Sequence, residues 1–400
     1  MMNKKGSSTG LKIAILSMSL LQMATNAIAS VIANIAADFP EVSVSVVQYL
    51  MTFPNLFLVI SSLVCARLAV RIPKKRIAAT GLCLGLASGI LSFLFHQSIV
   101  LLYLWAAVLG CCMGSTAPMA NGLIAEYFEG KERDTMLGLQ TSASNLGSMI
   151  MTFAGGYLAL FGWHYVYLVY FLGVPGIILT LLFVPGKPKD TAVFSSNQES
   201  QRKDKASRKI PGTAFIYFAI AFFYMICFYV GPTNLALIVQ ERSLGSTVLS
   251  GNAATVLLLG GVLMGLIFGK IAAKIGKYTI CAGFLALVLG YLLIYLIPSV
   301  PVLYIGSFLI GTSNTLVLPQ TMGSVVTADH DQSTMLMAIC LAVANVGMFL
   351  APAVTHITGA VMGNDLSSSR FLFTGILAAV FMVISFLVLS RMRKQRADRI

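Results

Sequence analysis

Charge is what this sequence has least of. Asp, Glu, Lys and Arg make up 10% of its 400 residues, against about 25% in an ordinary soluble domain. It has only 14 acidic residues and 4 histidines, and HExxH does not occur. The histidines are isolated and the carboxylates lie between the apolar runs or at their ends. An embedded enzyme needs a nucleophile beside a base, or a converging set of metal ligands, so that class is excluded. The seven cysteines (65, 83, 111, 112, 227, 281, 340) sit inside apolar runs with no CxxC pair, which excludes a disulfide framework and a zinc site. No cofactor is implied.

What is present is hydrocarbon. Apolar residues are 57% of the chain, arranged in twelve runs near 12–36, 46–66, 77–96, 99–124, 135–158, 163–184, 211–239, 246–268, 278–297, 301–326, 334–356 and 370–390. About twenty apolar residues cross the roughly 30 Å hydrocarbon layer as a helix. The expected fold is therefore an all-α membrane protein of 12 transmembrane helices. Its organisation reads as an N-terminal six-helix bundle (1–184), a basic linker (185–210), a C-terminal six-helix bundle (211–390) and a tail (391–400). The net charge of +13 is a topology signal rather than a nucleic-acid one. With an even number of spans, 25 of the 27 Lys and Arg fall on the side of the termini, leaving Arg242 and Arg370 opposite. The positive-inside rule then puts both termini in the cytoplasm of a cell-membrane protein. Lys4-Lys5 and Ala27-Ile28-Ala29 imitate a signal peptide, but cleavage would spoil that asymmetry, so an uncleaved first span is expected.

One stretch is written twice. Leu102-Tyr103, Gly110, Pro118 and Gly122 recur 201 residues later as Leu303-Tyr304, Gly311, Pro319 and Gly323. Asn145 and Gly147 return as Asn345 and Gly347, and Asn34, Glu41 and Ser43 as Asn234, Glu241 and Ser243. Two pseudo-symmetric bundles of this kind hold a binding site between halves that rock against one another. That points to transport. Pro118 and Pro319 are expected to bend their spans in parallel, because each removes a backbone donor.

These features resemble the major facilitator superfamily along nearly the whole chain. Its members share G-x-x-x-D-R-x-G-R-K after the second helix; residues 66–75 here keep Arg71, Lys74 and Lys75 but carry Val70 at the acid and lack both glycines. The equivalent loop of the second half keeps Gly269 and Gly276, with Lys274 and Lys277, and again lacks the acid. The resemblance assigns these residues to a cytoplasmic gate, and Glu126, Glu129 and Glu132 are the nearest carboxylates to pair with the Arg71 cluster. Ile35-Ala36-Ala37-Asp38-Phe39 and the glycines Gly138, Gly147, Gly155 and Gly156 resemble the drug-efflux branch, without its central Gly-Pro. Close helix packing explains such glycines about as well. Where proton antiporters carry a coupling Arg, four residues before Gly110, this chain has Ala106.

The spans hold amides, hydroxyls and aromatics, with charge kept to their ends. An ionisable group at the bilayer centre costs about 2.5–3.5 kcal/mol. A cavity without one suits a neutral or amphipathic solute. The resemblance puts the first, fourth, seventh and tenth helices around that cavity. Candidate substrate contacts are Gln22, Asn26 and Ser30, on one helical face at i, i+4 and i+8, with Asn121, Tyr224, Phe228, Asn234, Asn314 and Gln320. Helix-to-helix bonding is the competing role for each. Gating residues are Arg71, Lys74, Pro118, Gly147, Gly155, Gly269, Lys274 and Pro319, and Asp38 is the candidate site for a coupling proton. The reading is a monomeric secondary transporter in the bilayer, exporting a small organic molecule. Uptake of such a solute is the alternative, and a receptor-like or scaffold descendant is the rival from another class.

Overall fold

A computed structural model describes residues 4–69, 71–186, 210–328, 333–363 and 366–397. Most of the expected linker (187–209), Val70 and the last three residues lie outside the described residues. The chain divides into two compact units, Met1–Asn197 with Ser250–Asn252, and Gln198–Leu249 with Ala253–Ile400.

In the first unit α1 (Lys4–Ser19) runs into a 3-10 helix (Leu20–Ser30) and then α2 (Ile32–Asp38). There follow α3 (Val44–Leu68), α4 (Lys74–Leu94), α5 (Ile99–Tyr127) and α6 (Gly130–Leu158). A second long 3-10 helix (Trp163–Leu172) leads into α7 (Gly173–Phe183). The second unit contributes α8 (Gly212–Glu241), α9 (Thr247–Ile275), α10 (Thr279–Leu296), α11 (Val300–Ala328), α12 (Ser333–Met362) and α13 (Ser367–Ala397). Proline marks two starts, preceding α4 at Pro73 and α8 at Pro211. Gly276, at φ +56°, ends α9 in the left-handed conformation that favours glycine. α5 and α11 continue through Pro118 and Pro319.

Ten helices among the described residues are long and apolar enough to cross a membrane, two fewer than the sequence reading expects. Both differences have a physical reason. α6 carries Gln140, Thr141, Ser142, Ser144, Asn145 and Ser148, and these hydroxyls and amides dilute its apolarity. α9 and α10 form one continuous apolar stretch of 50 residues, Thr247–Leu296, about 75 Å of helix at 1.5 Å per residue and more than one crossing.

Apolar side chains face outward. Val100, Leu182 and Leu266 are 71%, 69% and 77% exposed, whereas Gln48, Thr52, Ser88 and Thr116 are buried. Such a distribution suits hydrocarbon surroundings, where polar groups must find partners inside. The repeated glycines mark the crossings. A Cβ on Gly110 would collide with Pro54 O of α3, and one on Gly311 with Leu257 O of α9. Gly147 meets Leu20 O at the start of the first 3-10 helix, and a Cβ on Gly347 would lie 2.5 Å from Phe222 O of α8. Each pair permits the same backbone-to-backbone approach in its own unit, as small residues do in membrane bundles.

Candidate functional site

In the first unit the polar groups converge where the 3-10 helix Leu20–Ser30 packs on α6. Ser144 donates to Gln22 Oε1 at 3.0 Å, and Asn26 Nδ2 donates to Ser148 Oγ at 2.8 Å. Ser144 and Ser148 are spaced i, i+4 and present two hydroxyls to one neighbour. Both amides thus bond the neighbouring helix. Ser30 is buried and bonds its own chain at Ala27 O, 3.2 Å. Asn121, on α5, is exposed. The expected α-helical face is interrupted, because Met23 takes φ −125° and ψ 31° between these residues.

A small cavity with room for about one water molecule lies within this unit, with Ser88, Ser92, Ala106, Tyr167 and Tyr170 among its walls. The Tyr170 hydroxyl is buried with no hydrogen-bond partner among the described residues. The small side chain at Ala106, where the family resemblance would put an arginine, contributes to that space.

The second unit is also bonded between its helices. Tyr224 Oη and Ser313 Oγ are 2.8 Å apart, joining α8 to α11. Phe228 stacks on Tyr224 with ring centroids 5.8 Å apart. Tyr291 of α10 donates to Cys227 O at 2.6 Å. Gln320 Nε2 reaches Ser324 Oγ on its own helix at 3.4 Å. Asn314 differs: its Oδ1 is buried and accepts no hydrogen bond among the described residues.

One expectation fails here. The sequence reading keeps every charge out of the interior, yet Arg370 is 1% exposed, the largest fully buried side chain among the described residues. Its Nη1 donates to Asn234 Oδ1 at 3.0 Å, while Asn234 Nδ2 donates to Val230 O. Arg370 is the fourth residue of α13, and nothing in the sequence separates it from an arginine at a solvated helix end. The hydrogen bond ties it to α8. Beside it Glu241 accepts from Ser367 N at 2.5 Å and from the Ser368 hydroxyl at 2.6 Å, capping the N-terminus of α13. Arg242 donates to Ile294 O and Tyr295 O at 2.5 and 2.6 Å, at the C-terminus of α10. Each charge faces the helix end of opposite partial charge.

At the end of the first unit that carries its N-terminus, Lys74 bonds Glu126 at 2.7 Å and Gly122 O at 3.1 Å, and Lys12 bonds Glu132 at 2.6 Å. The expected pairing of the basic loop with these carboxylates is thus made through Lys74, and Arg71 is exposed. In the second unit Lys277 donates to Leu389 O of α13, Lys274 is exposed, and Gly269 has open space about it. A Cβ on Gly155 would lie 2.7 Å from Val166 Cγ2. At the opposite end of the first unit, Trp163 Nε1 donates to the Asp38 carboxylate. No group of three or more His, Cys, Asp or Glu among the described residues could hold a metal ion.

Comparison with known proteins fits this frame. The family model described as Major Facilitator Superfamily matches residues 14–333. Candidate glycerol-3-phosphate transporter 3 of Arabidopsis thaliana is 26% identical over 261 residues, 54% of this chain and 48% of that protein. Candidate glycerol-3-phosphate transporter 2 of the same plant is 24% identical over 237 residues, 50% of this chain and 46% of that protein. The chain spans about half the length of these curated relatives. Among solved structures, a bacterial homolog of the human lysosomal transporter Spinster, inward-facing and occupied, superposes with a TM-score of 0.77 at 15% identity, covering 96% of this chain and 97% of that one. A D-xylose–proton symporter superposes with a TM-score of 0.72 at 14% identity, covering 95% and 97%.

Proposed function

Because this chain belongs to the Major Facilitator Superfamily, a family of multi-pass membrane transporters, we propose that it carries a small neutral or amphipathic organic molecule by alternating access, in the direction of export. It crosses the cell membrane twelve times, with α6 and both arms of the α9–α10 stretch as spans and both termini in the cytoplasm. It needs no cofactor and works as a monomer.

The observation that carries the substrate reading is Asn314. An unanswered buried acceptor costs about 1–3 kcal/mol, and a solute bearing a hydroxyl or N–H would supply the missing donor. Ser313 and Tyr224 beside it offer further hydroxyls, and Phe228 an apolar wall. The efflux-like segment around Asp38 and the glycine spacing of α6 support export.

A thermal-shift screen of the purified protein against neutral, cationic and anionic compounds tests this reading. Neutral compounds should raise the melting temperature, and Asn314→Leu should abolish that response while leaving the unliganded protein as stable or more so. Stabilisation by charged compounds alone, or an undiminished response in Asn314→Leu, would overturn it. Saturable flux in proteoliposomes separates a carrier from a receptor-like descendant, and its direction separates export from uptake.

A second reading, uptake of a small organic anion, is favoured by the buried guanidinium of Arg370 and by the phosphate ester in the names of the plant relatives. It requires a response to glycerol-3-phosphate that Arg370→Gln removes.

A further inference from the structure

The end of the first unit away from its N-terminus gathers aromatic and imidazole rings from three segments. His96 follows α4, and Trp163 and His164 open the 3-10 helix Trp163–Leu172. Asp38 closes α2. The His96 and His164 rings are parallel to within 1°, with centroids 4.1 Å apart. Trp163 stands edge-on to both, at 5.4 Å from His96 and 5.9 Å from His164. Its indole N–H donates to Asp38. We propose that the stacked imidazoles of His96 and His164 are a proton-binding site that takes one proton between them, with the Asp38 carboxylate as its counter-charge.

The atoms specify where the proton goes. His96 Nδ1 lies 2.8 Å from Phe93 O. A carbonyl only accepts, so Nδ1 carries the hydrogen and the lone pair is left at Nε2. A proton there creates an imidazolium lying flat on a neutral ring, a cation facing a π surface. A second proton on His164 would set two cations 4.1 Å apart, which like-charge repulsion disfavours. The pair therefore takes one proton and resists a second.

The surroundings fit this use. The titratable groups facing His164 are His96 and Asp38, together with Tyr165, whose ring centroid is 4.7 Å away. Tyr167 packs on the far side of Trp163 at 6.4 Å. Both histidines are half-buried and Asp38 is exposed, so protons reach the pair from solvent. The turn that presents His164 depends on Gly162, at φ +139°, where a Cβ would lie 2.9 Å from His164 Cε1.

The chain has two tryptophans, Trp105 and Trp163, so Trp105→Phe leaves a single reporter in contact with the pair. The Trp105 Nε1 is buried without a partner among the described residues, which makes that replacement mild. In the purified full-length Trp105→Phe protein, indole fluorescence should fall in one step with a one-proton slope as the pH drops from about 8 to 5, because an imidazolium quenches a neighbouring indole. His96→Gln and His164→Gln should each remove the step, and Asp38→Asn should move it to lower pH by up to about one unit. A step that survives either histidine replacement, a two-proton slope, or no step would overturn the proposal. Imidazole NMR of the same Trp105→Phe protein gives the answer should a histidine variant fail to fold. The two rings should respond together with one midpoint; two independent midpoints would overturn it.

Discussion

The two units share their crossings and differ in how their far ends are fastened. In both, a repeated glycine lets one backbone touch another: Gly110 and Gly311 in one crossing, Gly147 and Gly347 in the second. Beyond those points they diverge. The first unit carries two long 3-10 helices, Leu20–Ser30 and Trp163–Leu172, and closes its end with stacked rings and the Trp163–Asp38 bond. The second keeps its equivalents as continuous α-helices and closes with charge, through Glu241, Arg242 and the Arg370–Asn234 bond. Runs of 3-10 helix beyond three or four residues are uncommon and mark hinges or strained sequence. The difference teaches that duplication preserved the contacts that fix helix spacing and left the ends free to specialise.

The largest expected effect breaks the comparison at Asn34 and Asn234. The two are identical residues 200 positions apart, but Asn234 is fully buried and holds the Arg370 guanidinium, whereas Asn34 is half-buried. Asn234→Leu takes a hydrogen-bond acceptor from a buried guanidinium and should cost about 1.5–3 kcal/mol. Asn34→Leu should cost below about 1 kcal/mol. Unfolding of both variants in detergent checks this, and equal losses would show that the repeat conserves role as well as identity.

How much of this the sequence carried depends on how far apart in the chain the partners lie. Helix positions, the two-unit plan and the glycine crossings follow from local apolarity and from the repeat. The Lys74–Glu126 bridge was within reach because the alternation of spans puts both residues on the side of the termini. Arg370 was not, since Asn234, to which it bonds, lies 136 positions away. The 3-10 segments also escaped, because no local residue pattern separates them from α-helix in an apolar run. Gln22 and Asn26 read as cavity amides or as helix-to-helix contacts, and their bonds to Ser144 and Ser148, 122 positions on, are not written in the local sequence.

An intermediate effect sharpens the comparison from the other side. If the repeated glycines do the same work, Gly147→Val and Gly347→Val should destabilise alike, by about 1–3 kcal/mol each for overpacking at a backbone contact. Gly269→Ala, with open space around it, should be neutral or slightly stabilising through helix propensity. A wide gap between the two valine variants would mean that one crossing yields to strain, and the 3-10 helix touching Gly147 is the element placed to yield.

The smallest effect separates packing from recognition in that 3-10 helix. A polar contact between membrane helices is worth about 0.6 kcal/mol on average and at most about 1.7. The Asn26–Ser148 bond should show a coupling of that size in a double-mutant cycle of Asn26→Ala, Ser148→Ala and the pair, read by unfolding in detergent. Gln22→Leu should cost a similar amount through Ser144. A substrate contact would behave differently: stability would barely change, the two replacements would not couple, and the loss would fall on ligand-induced stabilisation instead. Measuring the unliganded protein and its ligand response on the same four proteins therefore assigns Asn26 to the frame or to the solute. In the second unit, Asn314→Leu should show the opposite pattern, because its buried amide oxygen has no partner among the described residues to lose.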